Sequence, residues 1–331
     1  MAAPFRARAS VWLQSVTAIV VISAVSGCST FSSKQEEAIY SSTEGVLETV
    51  AVLRRHVPDD TYRFPPANDF SGRNVYRASL LRLESLQRAE AEALRSGYLD
   101  SVLFFAKARA LERLRAFDLA AQQYRESATL SPDLAEEALE SAAICDRLHL
   151  ASQIGIDLVD PLADGGGRPR ALEPDQIRID LDERVTQLSI LLEEVRDSHY
   201  RFLVQEEIER ADQVRAQYFV DLRPVFQDGT VIALQELQRV ATRHGASKNR
   251  LRHLLRLADF HAVLAREYLA AVPPESLNFD PAKFRELVES AIQLFELVAS
   301  HDGRPEKLEA SRSLEAFLAL TLTVDADRFD R

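Results

Sequence analysis

Residues 101–132 read SVLFFAKARALERLRAFDLAAQQYRESATLSP. Small residues at Ala108, Ala120 and Ser127 alternate at helical spacing with the large side chains of Phe104, Leu111 and Tyr124. Small residues let two helix backbones approach, and large ones fill the space on either side of the contact. The stretch therefore predicts two antiparallel helices joined by a tight turn. Pro132, which cannot continue a helix but starts one well, closes the unit.

These residues also carry a resemblance. The tetratricopeptide repeat (TPR) runs W-x2-L-G-x2-Y, then A-x3-F, then P. Phe104 takes the first aromatic place, Ala108 the small position and Leu111 the large one at the end of the first helix. Ala120 and Tyr124 supply the A-x3-aromatic step, Ser127 is a later small position, and Pro132 ends the repeat. Lys107 stands where Leu is usual, and Ala108 replaces Gly. Residues 101–132 thus resemble one TPR hairpin. Residues 248–300, with Leu254, Leu257, Ala258, His261, Leu264 and Ala265 before a Pro-Pro loop, resemble a second, degenerate one with a lengthened turn. The resemblance implies a protein that binds partners rather than one that catalyses.

The N-terminus speaks to compartment. Arg6 and Arg8 precede an apolar run, Val11 to Val25, too short for a comfortable membrane span of about 20 residues. A basic start, a short apolar core and then small residues describe a secretory signal peptide. Val25-Ser26-Gly27-Cys28 resembles the bacterial lipobox, which implies lipidation at Cys28 and, with more than one acyl chain, stable anchoring. Ser29 rather than Asp follows the cysteine, the pattern that in enteric bacteria implies the outer membrane, here facing the periplasm. The formal charge is −11, and cleavage before Cys28 removes two arginines and no acid, leaving the mature chain more acidic still. That disfavours nucleic acid as a partner. Arginine far outnumbers lysine, which suggests a GC-rich bacterial source. Cys145 is the thiol that remains; it lies in an apolar helical stripe and reads as a packed core side chain.

Taken in order, 1–27 are the signal peptide and 28–35 a polar tether. Residues 36–155 form an N-terminal helical domain, 156–174 a Gly/Pro-rich linker, and 175–331 a C-terminal helical domain. Within them Glu36–His56 and Asn74–Ser96 are predicted helices, with Gly97 as the C-cap of the second. The aromatic loop between them carries Tyr62, Phe64 and Phe70. Glu183 to Tyr218 lacks Pro and Gly and is either one long helix or two with a bend. Its Leu188, Leu192, Val195, His199 and Phe202 recur close to a heptad, and Glu193, Glu194, Glu206, Glu207 and Glu209 fall mostly on the outer face. Pro281 is predicted at the first position of a returning helix, and Pro305 to about Val324 caps the stack.

The search for chemistry finds no HExxH, CxxC or GxSxG pattern. His253 and His261 lie two turns apart on one helix, about 12 Å, too far to share one metal ion. No catalytic, cofactor-binding or metal-ligating residue is assigned. The expected fold is all-α, an irregular TPR-like helical-hairpin solenoid of about nine to eleven helices. The expected function is a lipid-anchored envelope protein binding a protein or peptide through a helical groove. The alternatives are an envelope enzyme acting on cell wall or polysaccharide, or a structural spacer.

Overall fold

A computed structural model describes residues 42–59, 75–96, 99–155 and 174–329. Cys28, the lipobox, the tether, the aromatic loop, Gly97 and the glycine-rich linker lie outside these residues. The described chain is all-α: twelve helices, with no strand among the described residues. None of these helices is long and apolar enough to cross a membrane.

The chain opens with α1 (Ser42–Asp59) and α2 (Val75–Ala89), which meet through Val46, Leu53, Tyr76 and Leu83. The single helix expected to Ser96 bends at Glu90, and α3 (Ala91–Ser96) follows. Helical hydrogen bonds persist through the bend: the Glu90 N–H donates to Leu86 O at 2.9 Å and the Leu94 N–H to Glu90 O at 3.0 Å.

The decisive stretch forms α4 (Asp100–Arg113) and α5 (Phe117–Leu130), an α-hairpin as read. Ala108, Ala120 and Tyr124 are fully buried and pack with Leu111 against Ala138, Ala142 and Cys145 of α6 (Pro132–Gln153). Ser127 Oγ donates to Ser101 O at 2.8 Å, tying the end of α5 to the start of α4. Pro132 occupies the first turn of α6, where its missing N–H costs nothing. The aromatic ring that enters the seam is Phe105, edge-on to Tyr124 at 5.1 Å. Phe104, which the sequence register put in that place, is half-buried beneath Lys107 Nζ.

The turn of this hairpin holds Arg115 at φ 62°, the left-handed region that Gly usually fills. Its N–H donates to Glu112 O and the Ala116 N–H to Leu111 O, which closes the end of α4.

After the linker, α7 (Pro174–Glu194) and α8 (Tyr200–Asp221) resolve the open question in favour of two helices. They run antiparallel: Leu181 lies near the Ala216–Phe219 end of α8, and Leu191 near Tyr200. The break needs neither Pro nor Gly. Ser198 Oγ accepts from the Tyr200 N–H at 3.2 Å, a local side-chain bond that competes with the helical one. The break also resets the register. Phe202, expected inside, is 44% exposed, and Leu203 and Val204 take the core side.

Helix α9 (Gly229–Arg243) starts at a glycine for a steric reason: a Cβ there would lie 1.9 Å from Arg223 O. The pair α10 (Arg250–Ala271) and α11 (Pro281–Ala299) packs Leu255, Ala258, Ala262 and Ala265 against Phe284, Val288, Ala291 and Phe295. Asp280 caps α11 by accepting from Ala282 N–H and Lys283 N–H, and Pro281 is at the first position as predicted. Helix α12 (Pro305–Phe329) lays Ala310, Phe317 and Val324 on that pair.

Packing follows chain order. From α4 to α12 each helix makes its main contacts with a helix adjacent to it in sequence. The core formed by Phe117, Ile144, Leu148, Leu188, Leu191 and Tyr200 continues across the linker, so the halves on either side of residues 156–173 share one interior.

Candidate functional site

The chemistry-bearing side chains converge on α8, which carries three buried acids in its middle. Glu207 is 3% exposed, Glu209 4% and Asp212 0%. This corrects the expectation that Glu207 and Glu209 face solvent on the outer surface. α8 is enclosed by α7, α9, the α9–α10 turn and the α4–α5 turn, and each of its acids has found partners there.

Glu207 receives the Arg115 guanidinium in a fork, Nε to Oε1 at 2.6 Å and Nη2 to Oε2 at 2.9 Å. Arg210 stands 3.8 Å and Arg184 4.0 Å from the same carboxylate. Burial pushes this group up, but the three guanidiniums win and hold it below the usual carboxylate range. The left-handed Arg115 thus pins the α4–α5 turn to α8.

Two residues on, Glu209 accepts from Ser247 Oγ at 2.7 Å and pairs with His253 Nε2 at 2.5 Å. Asp212 accepts from Arg239 at 2.7 Å and Arg243 at 3.1 Å, and pairs with His244 Nε2 at 2.8 Å. Burial raises both acids, but hydrogen bonds from His253 and Ser247, and from His244 and Arg239, leave them below their ordinary range. Arg215 spans from Glu236, 3.0 Å away, to Asp182 of α7.

Away from α8, Glu112 of α4 is also buried, 1% exposed. Its Oε2 accepts from Tyr124 OH at 2.7 Å and Tyr200 OH at 3.0 Å, and its Oε1 from Arg109 Nη1 at 3.2 Å. Arg109 lies over the rings of Phe105, Tyr124 and Tyr200 and touches Glu137 and His199. Here burial outweighs Arg109 and the two hydroxyls, and the carboxyl is pushed up. Cys145 is fully buried with Sγ 4.0 Å from Glu112 Oε2. Burial and that carboxylate push its thiol up, away from nucleophilic thiolate. Tyr124, assigned as a repeat position, therefore doubles as a hydrogen-bond donor to a buried acid.

Among the described residues no group of three or more His, Cys, Asp and Glu has the geometry to hold a metal ion. His253 is engaged by Glu209, and His261 is buried separately. The buried acids are occupied by donors from this chain and sit in closed packing, which suits them to holding helices together. The assigned repeat residues Ala108, Leu111, Ala120, Tyr124 and Ser127 come together in the α4–α5 seam, while Phe104 and Pro132 stay at its margins.

An open surface lies elsewhere. A cleft of about 240 Å³ runs between α6 and α7, floored by Leu150, Ala151, Ile154 and Leu191 and edged by Arg147, Glu183 and Gln187. Leu150 is 66% exposed at its mouth. Sequence reasoning missed this cleft, which needs two helices far apart in the chain. It also missed Glu112, although the signal was present. Phe105, Ala108 and Glu112 follow a 3-and-4 spacing, so the acid falls on the hairpin's inner face.

No protein-family model matches this chain, and no curated protein is significantly similar to it in sequence.

Proposed function

We propose that this protein is a lipid-anchored envelope protein, held at Cys28 and directed to the periplasmic face of the outer membrane, that binds a protein or peptide partner as a scaffold or assembly factor. Its helices are read as an irregular TPR-like solenoid. The observation that carries this reading is the packing of each helix on its sequence neighbour, hairpin after hairpin, with one interior running across the linker. Such arrays stand out for extended surface rather than enclosed sites. The α6–α7 cleft, with an apolar floor and charged rim, is the place we assign to a partner side chain or short segment. It also favours a binding role over that of an inert spacer.

The test is crosslinking in membranes followed by co-purification of the full chain. A stoichiometric partner is expected from wild type and is lost on Leu150→Asp, a substitution at an exposed position that leaves the melting temperature unchanged. Failure to recover any stoichiometric partner sinks the binding function. A partner retained by Leu150→Asp sinks the cleft. Cys28→Ser is expected to release the protein from membranes.

A further inference from the structure

Residues 237–258 contain no Asp or Glu, the longest such run in this acid-rich chain beyond its N-terminal segment. They do contain Arg239, Arg243, Lys248, Arg250, Arg252 and Arg256. The fold gathers these at one place: the end of α9, the short turn, and the first turns of α10. Arg239 and Arg243 are tied to Asp212, and Lys248 to Glu206. Arg250 and Arg252 are exposed and have no carboxylate partner among the described residues. They open α10, the end at which the helix dipole disfavours cations, and the first turn of α10 holds no acid to offset them. Arg256 is held below its usual range by burial and then by the Arg252 charge. Positive charge thus accumulates at this end of the α9–α10 hairpin against the local electrostatic preference, in a chain whose formal charge is −11.

We infer that the α9–α10 end is a docking surface for the anionic headgroups of lipids, turning this pole of an acidic protein toward the membrane. The inference rests on the reading of Cys28 as the anchor. A tethered body of net negative charge is repelled by an anionic surface as a whole, and a cationic pole is the part of it drawn to that surface. Each exposed arginine adds a modest attraction, screened over about 8 Å at physiological salt. That is too little to capture a free protein but enough to orient one already tethered. Two hollows of the described surface lie elsewhere, at α6–α7 and on α11. A plane of headgroups needs no recess.

The test uses the full chain carrying Ala246→Cys, an exposed turn position, labelled with a fluorophore. Cys145 is buried and Cys28 is consumed by the anchor, so the label is confined to the turn. The protein is bound to vesicles of phosphatidylcholine, alone or mixed with phosphatidylglycerol, that carry a lipid-borne quencher. Flotation reports the anchor and quenching reports the docking. Flotation with both compositions is expected, with quenching about twofold greater on the anionic vesicles. Raised salt or the exposed pair Arg250→Glu/Arg252→Glu abolishes that excess. Equal quenching on both compositions, or an excess that survives the charge reversal, overturns the docking while leaving the anchor. Flotation with neither overturns both. Capture of poly-glutamate that the charge reversal abolishes, with quenching independent of composition, assigns the patch to an acidic protein instead and overturns the lipid reading.

Discussion

Glu112 and Glu207 are buried to the same degree, 1% and 3% exposed, yet their carboxyls move in opposite directions. Both accept short hydrogen bonds, so the difference lies in the charge of the donors. Glu112 is met by two neutral phenols and one guanidinium, and burial prevails. Glu207 is met by three guanidiniums, and attraction prevails. Neutral donors offset only part of a buried carboxylate's lost hydration, whereas cations add charge attraction to the hydrogen bond. The two acids also do different work. Glu112 organises the inner face of the α4–α5 hairpin and reaches α8 through Tyr200, and Glu207 anchors the turn of that hairpin to α8 through Arg115.

A third buried acid, with neither cation nor phenol arranged for it, sharpens the comparison most. Ala120→Asp places one in the fully buried seam, and we expect a loss above about 4 kcal/mol in chemical denaturation. A melting temperature equal to wild type contradicts the hairpin packing. Next comes Glu207→Gln, which leaves the buried Arg184 and the half-buried Arg115 without their carboxylate. A loss of about 3–5 kcal/mol is expected at neutral pH, and a loss under about 1 kcal/mol breaks the contrast.

Replacing Arg115 separates strain from attraction. Arg115→Ala and Arg115→Gly both lose the fork to Glu207, but Gly accepts φ 62° freely, so it is expected to be more stable than Ala by about 1 kcal/mol. Equal stabilities would mean that the turn relaxes. The smallest effect is Glu112→Gln, within about 1 kcal/mol of wild type at neutral pH, because the amide oxygen still accepts from the tyrosines.

The two acids also differ in the sign of their pH dependence. Glu112 is raised on folding, so its ionisation opposes folding. That cost is absent below the ordinary glutamate range, near about pH 4.3, and grows as pH rises through the folded value. Glu207 is lowered, so its stabilisation is present above that range and is lost as pH falls through its folded value. Denaturation across pH is expected to show the Glu112→Gln variant gaining on wild type as pH rises. The Glu207→Gln variant should show a shallower acid-side fall, with Glu209 and Asp212, which are also lowered, keeping the remainder. Parallel curves for wild type and both variants would refute the opposite shifts.

How much of this was legible beforehand differs by element. The α4–α5 hairpin, the Pro132 start of α6, the Asp280–Pro281 start of α11 and the core thiol Cys145 all followed from local spacing. Ser198 tied the start of α8 and Gly229 gave room to Arg223 O by local chemistry that is visible only once the chain has turned. Glu207, Glu209 and Asp212 were the hardest to read. On one helix they look like a solvated face, and their partners Arg115, Ser247, His253 and His244 are distant in sequence.

By itself, then, the order of residues determined that this protein is helical, where most of its helices begin, and that small residues would bring α4, α5 and α6 together. Those outcomes depend on periodicity and capping, which act within a few turns of chain. Tertiary structure alone decided which charges would be buried, in which direction Glu112 and Glu207 would titrate, and where a cleft or a cationic pole would face solvent. The free energy of a buried charge depends on every group within a few ångströms, and folding draws those groups from all along the chain.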